Sequence, residues 1–264
     1  NNNNLRMNKR FIISTLLLSL LATAHAGTPV GAIDGLFAVS QDKHVFFAQG
    51  NLIHDNGIWS FAEQQWDVPG EKALFTWASS GYDDPNNVGL GQSICFNTFD
   101  GSRFANYDWG VYNAISNGGN VPGLWRTLTR EEWLYLLEHH TCEWTTENEQ
   151  QGLKVMADDN THYLFLPATG TINIEKDDIS DQLTGYYWTS TAATDDAAFA
   201  EAYALASTGN TLLANTNRSQ QMSVRLVYDA PAWTTIADEA NNSAVLTPLQ
   251  NKHPVNVHVM RTLT

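Results

Sequence analysis

One stretch narrows the possible folds more than any other: WRTLTREEW from Trp125 to Trp133, continuing as LYLLEHH to His140. Thr129 followed three residues later by Glu132 is the pattern of a capping box. There a threonine hydroxyl and a glutamate carboxylate satisfy backbone N–H groups reciprocally at a helix start. Leu128 ahead of the cap and Trp133 behind it are spaced as a hydrophobic staple. Trp133, Leu136 and Leu137 fall on one helical face, so the helix must lie on a core. Upstream, Asp108 reads as the cap of another helix. Asn117-Gly118-Gly119 reads as its end, because glycine tolerates positive φ. Two helices joined by a glycine turn and a short strand are therefore expected between Asp108 and His140. No catalytic group is needed to explain this pattern, which is that of a folding nucleus.

Strands flank the helices. Leu36–Ser40 and His44–Ala48 read as one hairpin across Gln41-Asp42-Lys43, and Leu52–His54 and Ile58–Ala62 as another across Asp55-Asn56-Gly57. Residues 63–106 carry Phe75, Trp77, Tyr82, Phe96, Phe99 and Phe104 without a period, which reads as a long loop anchored by aromatics. Residues 143–159 read as polar loop, with Val155 opening a strand. Tyr163–Leu166 reads as a core strand ended by Pro167, and Ile172–Leu183 as a polar excursion. Tyr186–Thr191 is β-prone. Phe199–Ser207 and Thr211–Ala214 form a third hairpin about Thr208-Gly209-Asn210, and Met222–Tyr228 is the last strand. Strands early and late with helices between predict an α+β fold. Beyond Pro231 a polar linker and an alternating strand at Val255, Val257 and Val259 are expected, the truncated start of a second β domain over 230–264.

Residues 1–6 read as an upstream extension. Residues 7–26 have the form of a secretory signal: Lys9 and Arg10, an apolar run from Phe11 to Leu21, and Ala24-His25-Ala26 before a cut at Gly27. The apolar run is about half of the roughly 20 residues that a membrane span needs. The expected product is secreted or held at the cell surface, with its main domain at 27–229 and no membrane span. A formal charge of −14 argues against nucleic acid and anionic membrane as partners. Nine Trp and nine Tyr supply core, and where exposed they supply contact area for sugars and proteins. An oxidising compartment permits, without requiring, a bridge between Cys95 and Cys142.

In this order Gly35-Leu36-Phe37-Ala38-Val39-Ser40, Val45-Phe46-Phe47, Gly50-Asn51-Leu52, Trp59-Ser60-Phe61-Ala62, the Asp108–Asn120 run DWGVYNAISNGGN, WRTLTREEW, YYWTST and SVRLV make a long pattern. Over roughly Gly31 to Tyr228 the chain resembles the FISUMP (major paralogous domain) family of secreted bacterial proteins. The resemblance implies a C-type-lectin-like fold of the formylglycine-generating-enzyme branch. There WRTLTREEW is similar to an RLPTEAEW segment, with Leu128 standing where that pattern has proline, and SVRLV is similar to a GFRxV end. The tail VNVHVMRTLT looks like the opening of a second β domain.

Chemistry is sparse. The formylglycine-generating enzyme uses a cysteine pair near its C-terminal strands, whereas Cys95 and Cys142 precede them here, so the resemblance does not bring its oxidase activity. GxSxG and HExxH are absent. His139, His140, Cys142 and Glu143 are dense in ligand atoms. Adjacent helical histidines point about 100° apart, however, and histidines in a last turn suit the helix dipole. No cofactor is expected. A structural calcium stays open on oxygen ligands at Asp83, Asp84, Asn86, Asn87, Asp195 and Asp196, without EF-hand spacing.

What remains is a non-catalytic, adhesin-like module for an extracellular glycan or protein ligand. The alternative is an extracellular glycan-directed hydrolase with paired carboxylates. The binding face is expected on the C-terminal strands and loops. Tyr203 and Arg218 would be exposed anchors, with Asp195, Asp196, Glu201, Asn215 and Asn217 around them. Strand alternation puts Phe199, Glu201 and Tyr203 on one face and leaves open whether that face is outward or core. The loop from Tyr82 to Asn87 is the fallback site.

Overall fold

The computed structural model describes residues 27–82, 104–173, 178–193, 199–231, 233–237 and 244–248. The leader, Cys95, Asp83, Asp84, Asn86, Asn87 and the Val255–Val259 strand lie outside these residues. The fold is α+β and mostly sheet.

The first strands are β1 (Phe37–Ala38), β2 (His44–Phe47), β3 (Leu52–Asp55) and β4 (Ile58–Phe61). They form the two expected hairpins. Asn56 and Gly57 turn the second with φ of 50° and 79°, as a two-residue primed turn needs. Next come α1 (Phe104–Tyr107), α2 (Trp109–Tyr112), β5 (Arg126–Thr127) and α3 (Arg130–His139). A hairpin β6 (Cys142–Glu147) and β7 (Gln150–Met156) then pairs with β8 (Tyr163–Pro167). After it follow β9 (Thr171–Asn173), β10 (Asp178–Ser180), β11 (Gly185–Ala192), β12 (Phe199–Ala206), β13 (Gly209–Asn217) and β14 (Leu226–Asp229). Strand β14 lies between β2 and β5 in a sheet ordered β1-β2-β14-β5, so a late strand pairs with an early one. Finally β15 (Trp233–Ala237) and β16 (Ala244–Pro248) pair as a hairpin.

The sheet β11-β12-β13 is a central layer. Trp188 and Ala202 belong to one core with Trp59, Phe75, Trp77, Trp109 and Trp125. Their neighbours Tyr187, Tyr203 and Leu205 belong to a second core with Phe47, Leu128, Trp133 and Leu136. Of the loop aromatics, Phe75 and Trp77 anchor in the core, Tyr82 is half-exposed, and Phe96, Phe99 and the Phe104 side chain lie outside the described residues. The indole N–H of Trp77 donates to Thr189 O at 2.8 Å, and that of Trp188 donates to Phe75 O at 2.7 Å.

The α3 start matches its pattern: Thr129 accepts from Glu132 N, and Glu132 returns the bond to Thr129 N. Elsewhere the sequence reading is corrected. The first long helix is a single turn, α2, ending at Asn113 rather than at Gly118. The Asn117 side chain explains the stop. It accepts from Phe61 N at 2.7 Å and donates to Phe61 O at 2.9 Å, pairing with β4 instead of continuing a helix. The segment read as polar loop is the β6–β7 hairpin. Its turn is Asn148-Glu149, both at positive φ, where a glycine would have announced it. The excursion after Ile172 contains the β9–β10 pair, and the linker after Pro231 contains β15 and β16. The third hairpin turns at Ser207-Thr208, because Ala206 pairs with Gly209.

Candidate functional site

The two anchors of the expected face on the last strands, Tyr203 and Arg218, are not at the surface. Tyr203 is 2% exposed, and its ring lies 5.8 Å from that of Trp133 on α3. Arg218 is fully buried, with its guanidinium 4.4 Å from the Trp77 ring centre. For Tyr203 the reason is that β12 is covered on both faces, so alternation along it separates one core from the other rather than core from solvent; Arg218, just past β13, is instead buried against Trp77. Asn217 spends its carbonyl oxygen on Ser219, accepting from its N–H at 2.9 Å and its hydroxyl at 2.8 Å. Glu201 and Asn215 occupy backbone positions in β12 and β13, and their side chains lie outside the description. Asp195 and Asp196 lie outside the described residues.

Two surface features remain. The first is a cleft of about 300 Å³ lined by Tyr135, His139, His140, Thr141, Met156 and Asp158 among others. Its polar groups are already engaged in holding the fold. The His140 ring bridges two segments, with Nδ1 at 2.8 Å from Met156 O and Nε2 at 3.0 Å from Ala38 O. Asp158 Oδ1 accepts from Ala38 N at 3.1 Å. His139 Nδ1 is 2.9 Å from Tyr135 O, and the two rings stack at 3.9 Å. Cys142 nearby carries a free thiol that burial pushes up in pKa. Asp158 is the only carboxylate among the lining residues. Among the described residues no group of three or more His, Cys, Asp or Glu side chains is placed to hold a metal.

The second is a corner of tyrosines. Tyr82 and Tyr112 are each 43% exposed, and their rings stand at 88° with centroids 5.3 Å apart. Tyr107 is buried behind Tyr82, its ring 4.9 Å away at 65°. Val111 is also exposed. The local chain holds this corner firmly. Asp108, buried and capping α2, accepts from Gly110 N at 3.0 Å and from Thr127 N at 2.8 Å, which ties α2 to β5. Burial pushes its carboxyl above the ordinary range, against the pull of those same hydrogen bonds. Gly110 permits the approach, since a Cβ there would sit 2.6 Å from Trp125 O. Asn113 donates from Nδ2 to Ser80 O at 2.9 Å, tying the residue after Tyr112 to the segment that carries Tyr82.

The sequence named Tyr82 only as part of the fallback loop and missed Tyr112. No sequence signal marked it, because WGVY from Trp109 to Tyr112 has no polar face against which Tyr112 would stand out. Among the described residues no helix is long and apolar enough to cross a membrane. No family model matches the chain, and neither does any curated protein or solved structure.

Proposed function

We propose that this chain is an exported, non-catalytic ligand-binding module with a C-type-lectin-like fold of the FISUMP type, and that its ligand is an extracellular glycan or protein. The observation that carries the reading is the Tyr82–Tyr112 corner: two exposed aromatic rings held on a braced backbone. Tyrosine offers large, rigid contact area with few torsions to freeze, so it suits recognition at low entropic cost. The secretory signal supports an extracellular setting, and the acidic chain supports an uncharged or cationic partner over an anionic one. The hydrolase alternative gains no support from the cleft, where Asp158 has no second carboxylate across from it.

The test is an array of extracellular glycans and proteins probed with the full chain and with Tyr112→Ala. At least one ligand is expected to bind the parent and to be lost in the variant. Ligands that bind both alike would move the site away from the corner.

A further inference from the structure

We infer that the ligand taken up at the Tyr82–Tyr112 corner is an uncharged pyranose glycan, an inference that rests on the binding-module reading above. The corner geometry carries it. A pyranose ring has an apolar C–H face and a belt of hydroxyls. One tyrosine ring can take the C–H face, because an aromatic face is electron-rich. The second ring, at 88° and 5.3 Å, stands as a wall along the sugar's edge. Both phenol hydroxyls belong to half-exposed residues and can donate to or accept from the hydroxyl belt.

Charge narrows the class. Among the described residues, the segments Ser79–Tyr82 and Phe104–Asn113 that build the corner carry no Lys or Arg. A sulfated or uronate glycan would want such cations, Arg above all. The formal charge of −14 adds long-range repulsion. A cationic ligand would want a carboxylate, and among the described residues of these segments the acidic side chain, Asp108, is buried and committed to backbone N–H groups. A quaternary ammonium would want a cage with a third open aromatic face, and Tyr107 is buried. A protein hot spot would want an anchor sunk in a pocket, and the described cleft is lined by other residues.

The experiment is calorimetric titration of the full chain with neutral oligomers of glucose, galactose, mannose and N-acetylglucosamine, with sulfated and uronate counterparts, and with choline. One neutral oligomer is expected to bind with an affinity unchanged from low to high salt. Tyr112→Ala and Tyr82→Ala should each weaken it about tenfold, as loss of one aromatic contact implies, while Tyr112→Phe stays close to the parent. Salt-sensitive binding of the anionic oligomers, or binding of choline alone, overturns the inference. A protein on the array that needs Tyr112, with no saccharide bound, leaves the binding-module reading standing and removes the sugar. No ligand of either kind overturns both.

Discussion

Tyr203 on β12 is 2% exposed, with its ring 5.8 Å from Trp133, whereas Tyr112 on α2 is 43% exposed and, among the described rings, meets that of Tyr82 alone, at 5.3 Å. The difference lies in what covers each element. The β11-β12-β13 sheet has a core on each face, so every large side chain on β12 that is described is inside. The single turn of α2 rests on β5 with one side and leaves the other open. Ligand contact needs side chains whose burial the fold does not require. Among the described residues Tyr112 is such a side chain, on a short element with one unused face, whereas Tyr203 on the long strand β12 is not.

The largest test of that contrast is Tyr203→Ala. Removing a fully packed aromatic leaves a cavity between β12 and α3, and should cost about 3–5 kcal/mol in denaturant or thermal unfolding. A variant that unfolds like the parent would mean that the second core does not depend on Tyr203, and the contrast would fail at its buried end.

Next in size is Glu132→Gln, which tests how α3 is held over Tyr203. Arg126 forks between Glu132, at 2.7 and 2.8 Å, and Asp229, at 2.7 to 3.0 Å. Lys43 adds a contact to Glu132 at 2.9 Å. Losing these charge-assisted bonds should cost about 1.5–3 kcal/mol at neutral pH. Burial pushes the Glu132 carboxyl up, but the hydrogen bonds and charge of Arg126 outweigh it and leave the pKa below its ordinary value. Asp229 behaves in the same way. A carboxylate whose folded pKa is depressed stabilises above its unfolded value, and loses that contribution as pH falls through the folded one. The gap between parent and variant should therefore close below the ordinary carboxylate range. Asp108 has the opposite sign: its raised pKa favours the fold at low pH and ceases to as pH rises through that value. It is common to both proteins and cancels in the difference. A gap that stays constant into acid would refute the ion network as its source.

Thr129→Ala is smaller, about 1 kcal/mol, for one lost cap at the start of α3. Urea unfolding should register it, and Thr129→Ser should recover most of it. If serine fails to recover it, the methyl group rather than the hydroxyl was what counted.

How much of this was legible in the sequence follows the range of the interactions. The Thr129–Glu132 box and the Asn56-Gly57 turn are local chemistry, complete within a few residues, and both stand where the sequence puts them. The length of α2 depends on Asn117 reaching Phe61, a partner that no local pattern names. The β6–β7 hairpin was hidden because Glu149 takes a positive φ that glycine usually marks. The ion network joins Lys43, Arg126, Glu132 and Asp229 from four separate segments, so no spacing reveals it. The candidate site was missed for a related reason. Period-two alternation on β12 separates two faces but cannot tell solvent from a second core. Tyr82 and Tyr112 lie 30 residues apart and meet through tertiary contacts, the Asn113 bond to Ser80 among them, that no local spacing reveals.

The smallest expected effect on stability is the most informative for function. Tyr112→Ala removes a half-exposed ring that packs on Tyr82 alone among the rings described. Surface substitutions away from caps, cores and networks fall within about 0.5 kcal/mol, and this one belongs with them. The Asp108 cap, the Gly110 contact with Trp125 and the Asn113 bond to Ser80 all remain, so the backbone under the corner should not move. Tyr203→Ala and Tyr112→Ala should then separate cleanly. The first should lower the unfolding midpoint and affect binding only through the fraction folded. The second should leave the midpoint in place and weaken binding by about tenfold in fully folded protein. Measuring both quantities on both variants isolates the site from the scaffold. A Tyr112→Ala protein that melts several degrees early would show that the ring braces the fold, and the corner would lose its standing as a surface left open for a ligand.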